Sequence, residues 1–185
     1  MKEKFEYFLN AVHYCIFLSQ LRLNAFFDKY VGLPFARMLE FFMSEKGKRR
    51  FRLNQQRSKK ELDDFFCSKE AGFCIGLAHH FFGYFSTCYL GYFSFTFCGL
   101  YKYLTGEFSH GMLKVIIMGI PIAIGFVPFH KAVFAGDRYL EFFREFEKRD
   151  DVWRRKWKWI TVAYCVGGII VAVLGFFTMA YLTGL

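Results

Sequence analysis

Charged side chains are missing from two long stretches of this chain. Residues 71–101 and residues 159–185 contain no Asp, Glu, Lys or Arg. A helix as long as the first rises about 45 Å, against roughly 30 Å for a bilayer's hydrocarbon core. Soluble domains rarely build a charge-free helix of that length. Residues 71–101 are therefore expected to span a membrane, and the rest of the chain is organised around them.

Other absences narrow the chemistry. The HExxH, GxSxG, Walker A and GxGxxG patterns do not occur. No carboxylate lies in the apolar runs after Glu6, which argues against a cation-coupled transporter or a proton pump. No catalytic set, metal site or cofactor is expected, and the chain is not read as an enzyme. The six cysteines, Cys15, Cys67, Cys74, Cys88, Cys98 and Cys165, include no CxxC pair. Five sit in apolar segments and read as small buried thiols. A cleavable signal peptide is not expected: residues 1–4 are basic, but Glu6, Asn10 and His13 follow and no A-x-A-like site does.

What is present is apolar, aromatic and basic. Apolar residues make up 55% of the 185 and aromatics 22%, with 27 Phe. In water that much Phe would form sticky patches, whereas lipid accommodates it. The net charge is +9. Of the 25 Lys and Arg, 11 fall in residues 28–70 and 9 in residues 130–158. Each stretch adjoins an apolar run, which is the positive-inside pattern of cytoplasmic loops. The expected location is the inner, cytoplasmic membrane, with the basic loops in the cytoplasm.

Two further apolar runs complete the expected spans, residues 5–21 and 115–129. The first is short and carries Glu6 and His13. The second contains Pro121 and Pro128, each of which removes a backbone donor and can kink a membrane helix. The fold class is thus all-α, a polytopic membrane bundle of three to four spans in one domain, residues 1–185. Two amphipathic cytoplasmic helices are added. In one of them Phe35, Met38, Leu39 and Phe42 recur at helical spacing. In the other, Tyr139, Leu140, Phe143 and Phe146 do so.

An internal repeat supports this layout. FDKYV from Phe27 is followed by RMLEFF from Arg37, and FHKAV from Phe129 by RYLEFF from Arg138. Each block leads through clustered cations to a long charge-free run. Half-repeats 1–101 and 110–185 follow, with both halves in the same orientation and both termini outside.

Within the spans, small residues mark helix contacts. Gly72 and Gly76 form a GxxxG pair, continued by Gly83 and Gly91; the last span offers Gly168 and Ala172, four apart. Small residues at that spacing let a second helix approach closely in lipid. His79 and His80 are ionisable groups inside the long span and become candidates for a pore lining or a polar interior. A hydrogen bond to a neighbouring helix is the plainer role for His80. Adjacent histidines point about 100° apart and cannot grip one ion together.

The cations fall into two groups. Arg49 and Arg50, in the segment KGKRRFRLNQQRSKK of residues 46–60, and Arg154 and Arg155 are expected to face anionic lipid or an acidic partner. One aromatic, Phe51, interleaves the first group, so stacking on nucleic-acid bases has little support. Trp153, Trp157 and Trp159 read as an interfacial anchor.

The expected function is a self-associating membrane protein. Its homo-oligomer would form a channel, pore or membrane-perturbing effector, and its basic helices would receive a signal or partner. The alternative is a non-conducting membrane scaffold or accessory subunit that docks a cytoplasmic acidic protein or a nucleic-acid complex. A membrane-embedded enzyme or haem protein is the third and weakest reading.

Overall fold

A computed structural model describes the backbone of residues 2–106 and 111–184. Within these it describes every side chain except those of residues 2, 56, 57, 59, 60, 62–64, 112–114, 116 and 118. The structure is all-α: 91% is helical, and the described residues contain no strand. The order is α1 (Lys2–Phe27), a π-helical segment (Asp28–Gly32), α2 (Leu33–Phe41), α3 (Glu45–Cys67), α4 (Phe73–Thr105) and α5 (Gly111–Val133). A 3-10 turn (Ala135–Asp137), α6 (Arg138–Phe146) and α7 (Asp151–Thr183) follow.

Two helical stretches among the described residues are long and apolar enough to cross a membrane, Gly119–Phe146 and Asp151–Thr183. This falls short of the three or four expected. Helix α4 lacks charge through residue 101, but its paired histidines, serines and many tyrosines dilute its hydropathy. Helix α1 carries Glu3, Glu6, Asn10, His13 and Arg22, too polar for the same standard.

The chain separates into two compact units, Met1–Cys15 with Phe81–Leu185, and Ile16–His80. In the first, α1 runs beside the end of α5. The rings of Phe5 and Phe129 lie 5.7 Å apart, Asn10 bonds the Ala132 carbonyl, and His13 meets Phe134 at 5.7 Å. The two helices therefore point the same way, offset by almost a helix length. Against α7 the order reverses: Phe8 touches Trp157 and Tyr164, and Tyr14 touches Trp153. The start of α1 thus sits beside the basic, aromatic beginning of α7, not at its far end. Residues 5–21 are not among the stretches long and apolar enough to cross a membrane.

Local chemistry sets the breaks. Gly136 (φ 66°) and Asp137 (φ 52°) adopt the left-handed conformation that ends α5 and starts α6 in a new direction. Asp150 caps α7 by accepting from the Trp153 amide at 3.0 Å. Gly184, at φ 69°, closes its other end.

The two repeat blocks each form helix, interruption and nine-residue helix. Their surroundings differ. Helix α6 buries Tyr139, Phe143 and Phe146, whereas α2 buries nothing.

The second unit is built on α3 and the helices before it. Arg52 of α3 donates two hydrogen bonds to Glu40 of α2, at 3.0 and 2.9 Å. This fork draws the Glu40 carboxyl below its ordinary range and raises Arg52. Glu45 is lowered in the same way by its bond to Lys48.

Candidate functional site

The densest polar site in the first unit lies inside α1. Asn10 and His13, three residues apart, are fully buried. The Asn10 amide donates to the Ala132 carbonyl at 3.0 Å and to Glu6 of its own helix at 2.8 Å. Its oxygen has no hydrogen-bond partner. The His13 ring is walled by Phe82, Phe134, Tyr139 and Phe143, with centroids 5.3 to 5.7 Å away. Aromatic rings at such separations prefer tilted and edge-on arrangements, and three of these four rings come from α4 and α6.

This cluster continues to the mouth of α7. The Tyr7 hydroxyl accepts from the Trp153 indole at 3.1 Å. Trp153 stacks on Phe146 at 4.9 Å and adjoins Trp157 at 5.6 Å. Trp153 and Trp157 are half-buried against these rings, while Trp159 is exposed.

A second polar line joins α4 to α7. The Ser86 hydroxyl donates to Phe82 of its own helix at 2.7 Å, so its 2.9 Å contact with the Tyr164 hydroxyl has Tyr164 as donor. Tyr89 donates to the Tyr164 carbonyl at 2.7 Å. At the far end, Lys102 donates to the Thr183 carbonyl at 2.8 Å, neutralising the last turn of α7.

Glycine makes this seam close. A Cβ on Gly175 would fall 2.7 Å from the Tyr92 Cα, and one on Gly168 would fall 3.1 Å from the Phe85 carbonyl oxygen. On α4, a Cβ on Gly99 would lie 3.0 Å from the Met179 Cα. Of the five predicted contact glycines, Gly168 alone has another helix against its backbone among the described residues. Ala172 is half-buried. Gly72 is crowded by Ser68 and Phe66 in the turn before α4, and Gly91 approaches only Phe95 of its own helix. Among the described residues, nothing beyond their own helix turn lies within 4 Å of a Cβ placed on Gly76 or Gly83.

The other predicted residues are scattered. His79 is half-buried and His80 exposed, so neither stands in an interior of the described chain. The α5 helix runs through Pro121 and Pro128. Arg49, Arg50 and Arg155 are exposed. Arg154 donates to the Glu147 carbonyl at 2.9 Å and holds the corner between α6 and α7. Among the described residues no three His, Cys, Asp or Glu side chains converge to hold a metal ion.

Sequence reasoning missed Asn10, the Tyr89–Tyr164 pair, and the backbone contacts that Gly99 makes with Met179 and Gly175 with Tyr92. The signal for Asn10 was its spacing from His13 on one face of an otherwise apolar helix. For the glycines it was a spacing of seven, not four, on α7. No protein-family model, characterised protein or solved structure matches this chain.

Proposed function

We propose that this chain is a polytopic membrane protein with three spans, α4, α5 and α7, that self-associates to form a channel, pore or membrane-perturbing assembly. The first support is the outward surface of α7. Only 17% of its apolar window is buried. A core helix of a soluble protein is mostly buried, so an open helix of this composition calls for lipid. The contacts of Glu6 with Arg138 and of Tyr7 with Trp153 support assigning the start of α1 to the basic end of the bundle, read here as the inner one. The amino terminus is assigned to the cytoplasmic side, and residues 5–21 are not counted as a span.

The observation that carries self-association is the emptiness around Gly76 and Gly83. Both lie on α4, and among the described residues neither has a neighbour from outside its own helix turn within 4 Å of its Cβ position. Small residues exposed on an apolar helix offer backbone contact to a second helix in lipid. A second copy of α4 is the proposed occupant, and His80, exposed on the same helix, would then line the contact. The basic surface of α3, with Arg49 and Arg50, would receive the signal.

The test is ion or dye flux through purified protein in liposomes, with the His80→Ala variant in parallel. Flux that changes between pH 5.5 and 7.5 in the parent but not in the variant supports a histidine-lined conduit. Absence of flux removes the pore.

The scaffold reading keeps one specific support. Lys46, Lys48, Arg49 and Arg52 gather around one recess on α3, with Glu45 as its acidic member. That surface suits an acidic protein partner. Co-purification of such a partner without flux would favour it.

A further inference from the structure

The bend between α5 and α6 encloses a cavity of about 550 Å³. One wall is apolar, formed by Phe5, Pro128, Ala132 and Ala135. The other is charged, formed by Lys131, Arg138 and Glu6. We propose that this cavity binds a phosphate ester, and specifically the headgroup of an anionic phospholipid. The inference rests on the membrane reading above.

Charge comes first. Two cations and one carboxylate face the cavity, leaving one positive charge, which a phosphodiester monoanion balances. Arg138 donates to Glu6 from one guanidinium nitrogen at 3.2 Å, and the Glu6 side chain is only 15% exposed. The carboxylate therefore aims the guanidinium without using up its remaining donors. Lys131 is exposed and has no ion pair among the described contacts. Asp137, on the intervening turn, is exposed and does not line the cavity.

Position comes second. The charge-free run of α5 ends at Phe129, and Lys131 follows in the next half-turn. The cavity therefore straddles the change from apolar to cationic surface, as an amphipathic ligand requires. Phosphate would meet Lys131 and Arg138, and the first carbons of the lipid would lie on Phe5 and Pro128. Basic pockets on the cytoplasmic side of membrane bundles hold anionic headgroups by this arrangement. A soluble phosphate ester would use the charged wall and leave the apolar one bare.

The experiment reconstitutes the full chain in nanodiscs of phosphatidylcholine with a minor share of phosphatidylglycerol. Bound phosphatidylglycerol is counted by native mass spectrometry after release into detergent. The expected result is preferential retention by the parent, and a loss of roughly tenfold in K131A/R138A, with E6Q retaining the lipid. Equal retention in parent and double variant overturns the proposal while leaving bilayer insertion intact. Failure of the parent to enter nanodiscs overturns both readings. Glycerol phosphate added in detergent separates the sources: binding as tight as that of phosphatidylglycerol, lost in K131A, moves the assignment to a soluble ester. Should R138A misfold for want of its Glu6 partner, K131A alone decides, because Lys131 is exposed; unchanged retention there also overturns the proposal.

Discussion

The Asn10 side-chain amide bonds the Ala132 carbonyl at 3.0 Å, across 122 positions of sequence. It thereby ties α1 to the last turn of α5, whose carbonyls have no amide of their own helix left to bond. Replacing Asn10 by Ala removes that tie and leaves a buried carbonyl unsatisfied. A loss of about 1–3 kcal/mol is expected, read as a lower thermal midpoint in detergent. An unchanged midpoint would show that water reaches the carbonyl in the variant.

The seam between α4 and α7 gives a sharper outcome. A Cβ on Gly175 would meet backbone, the Tyr92 Cα, at 2.7 Å. Backbone cannot swing aside as a side-chain tip does. Gly175→Ala should therefore cost about 1–3 kcal/mol, and Gly175→Leu should separate the helices. Disulfide trapping between cysteines placed on facing turns of α4 and α7 would report the separation.

Gly76 and Gly83 should behave in the opposite way. With nothing from outside their own helix turns within 4 Å of either Cβ position among the described residues, leucine at both sites should leave the monomer's stability unchanged and reduce the size of the cross-linked oligomer. A cross-linking ladder identical to the parent's would remove this face of α4 from the assembly.

The paired repeat blocks offer an internal control. Phe143 is completely buried and its counterpart Phe42 is 78% exposed. Phe143→Ala should cost about 3–5 kcal/mol. Phe42→Ala should stay within about 0.5 kcal/mol, the range for surface sites. Equal losses would mean that α2 is covered in the protein as it exists in solution or membrane.

The fork from Arg52 to Glu40 predicts a pH dependence. Glu40 is held below its ordinary value of 4.5 by the Arg52 hydrogen bonds. The unfolded state then binds more protons in that window, so stability rises with pH there. The contribution is complete above 4.5 and disappears as pH falls through the lower, folded value. Both side chains are solvated, so the effect is small. Carbon-13 titration of the Glu40 carboxyl in the parent and in Arg52→Gln should show the midpoint move up in the variant.

Much of the helical layout was legible in sequence. The charge-free runs 71–101, 115–129 and 159–185 fall within or largely overlap α4, α5 and α7, because a long apolar run without breakers favours a continuous helix. The start of α6 was visible in the RYLEFF periodicity. Other features were not. Residues 5–21 have the composition of a short span, but composition does not reveal that Phe8 lies against Trp157 and Tyr164. Trp153 and Trp157 sit among cations, as an interfacial belt would, and only the contacts with Tyr7 and Phe146 show them turned inward. The glycines of α4 were legible as a stripe. Which of them faced a helix depended on the α7 surface opposite, where Gly168 and Gly175 are seven apart.

The π-helical segment at Asp28–Gly32 has a geometric consequence of its own. The Leu33 amide reaches back five residues, to the Asp28 carbonyl, so the junction holds one residue more than an α-helical turn. One extra residue rotates everything beyond it by about 100°. With that rotation, Ala36, Leu39 and Glu40, the less exposed positions of α2, fall in phase with Leu21 and Asn24 of α1. Deleting Gly32 would keep both helices and twist their sheltered sides apart.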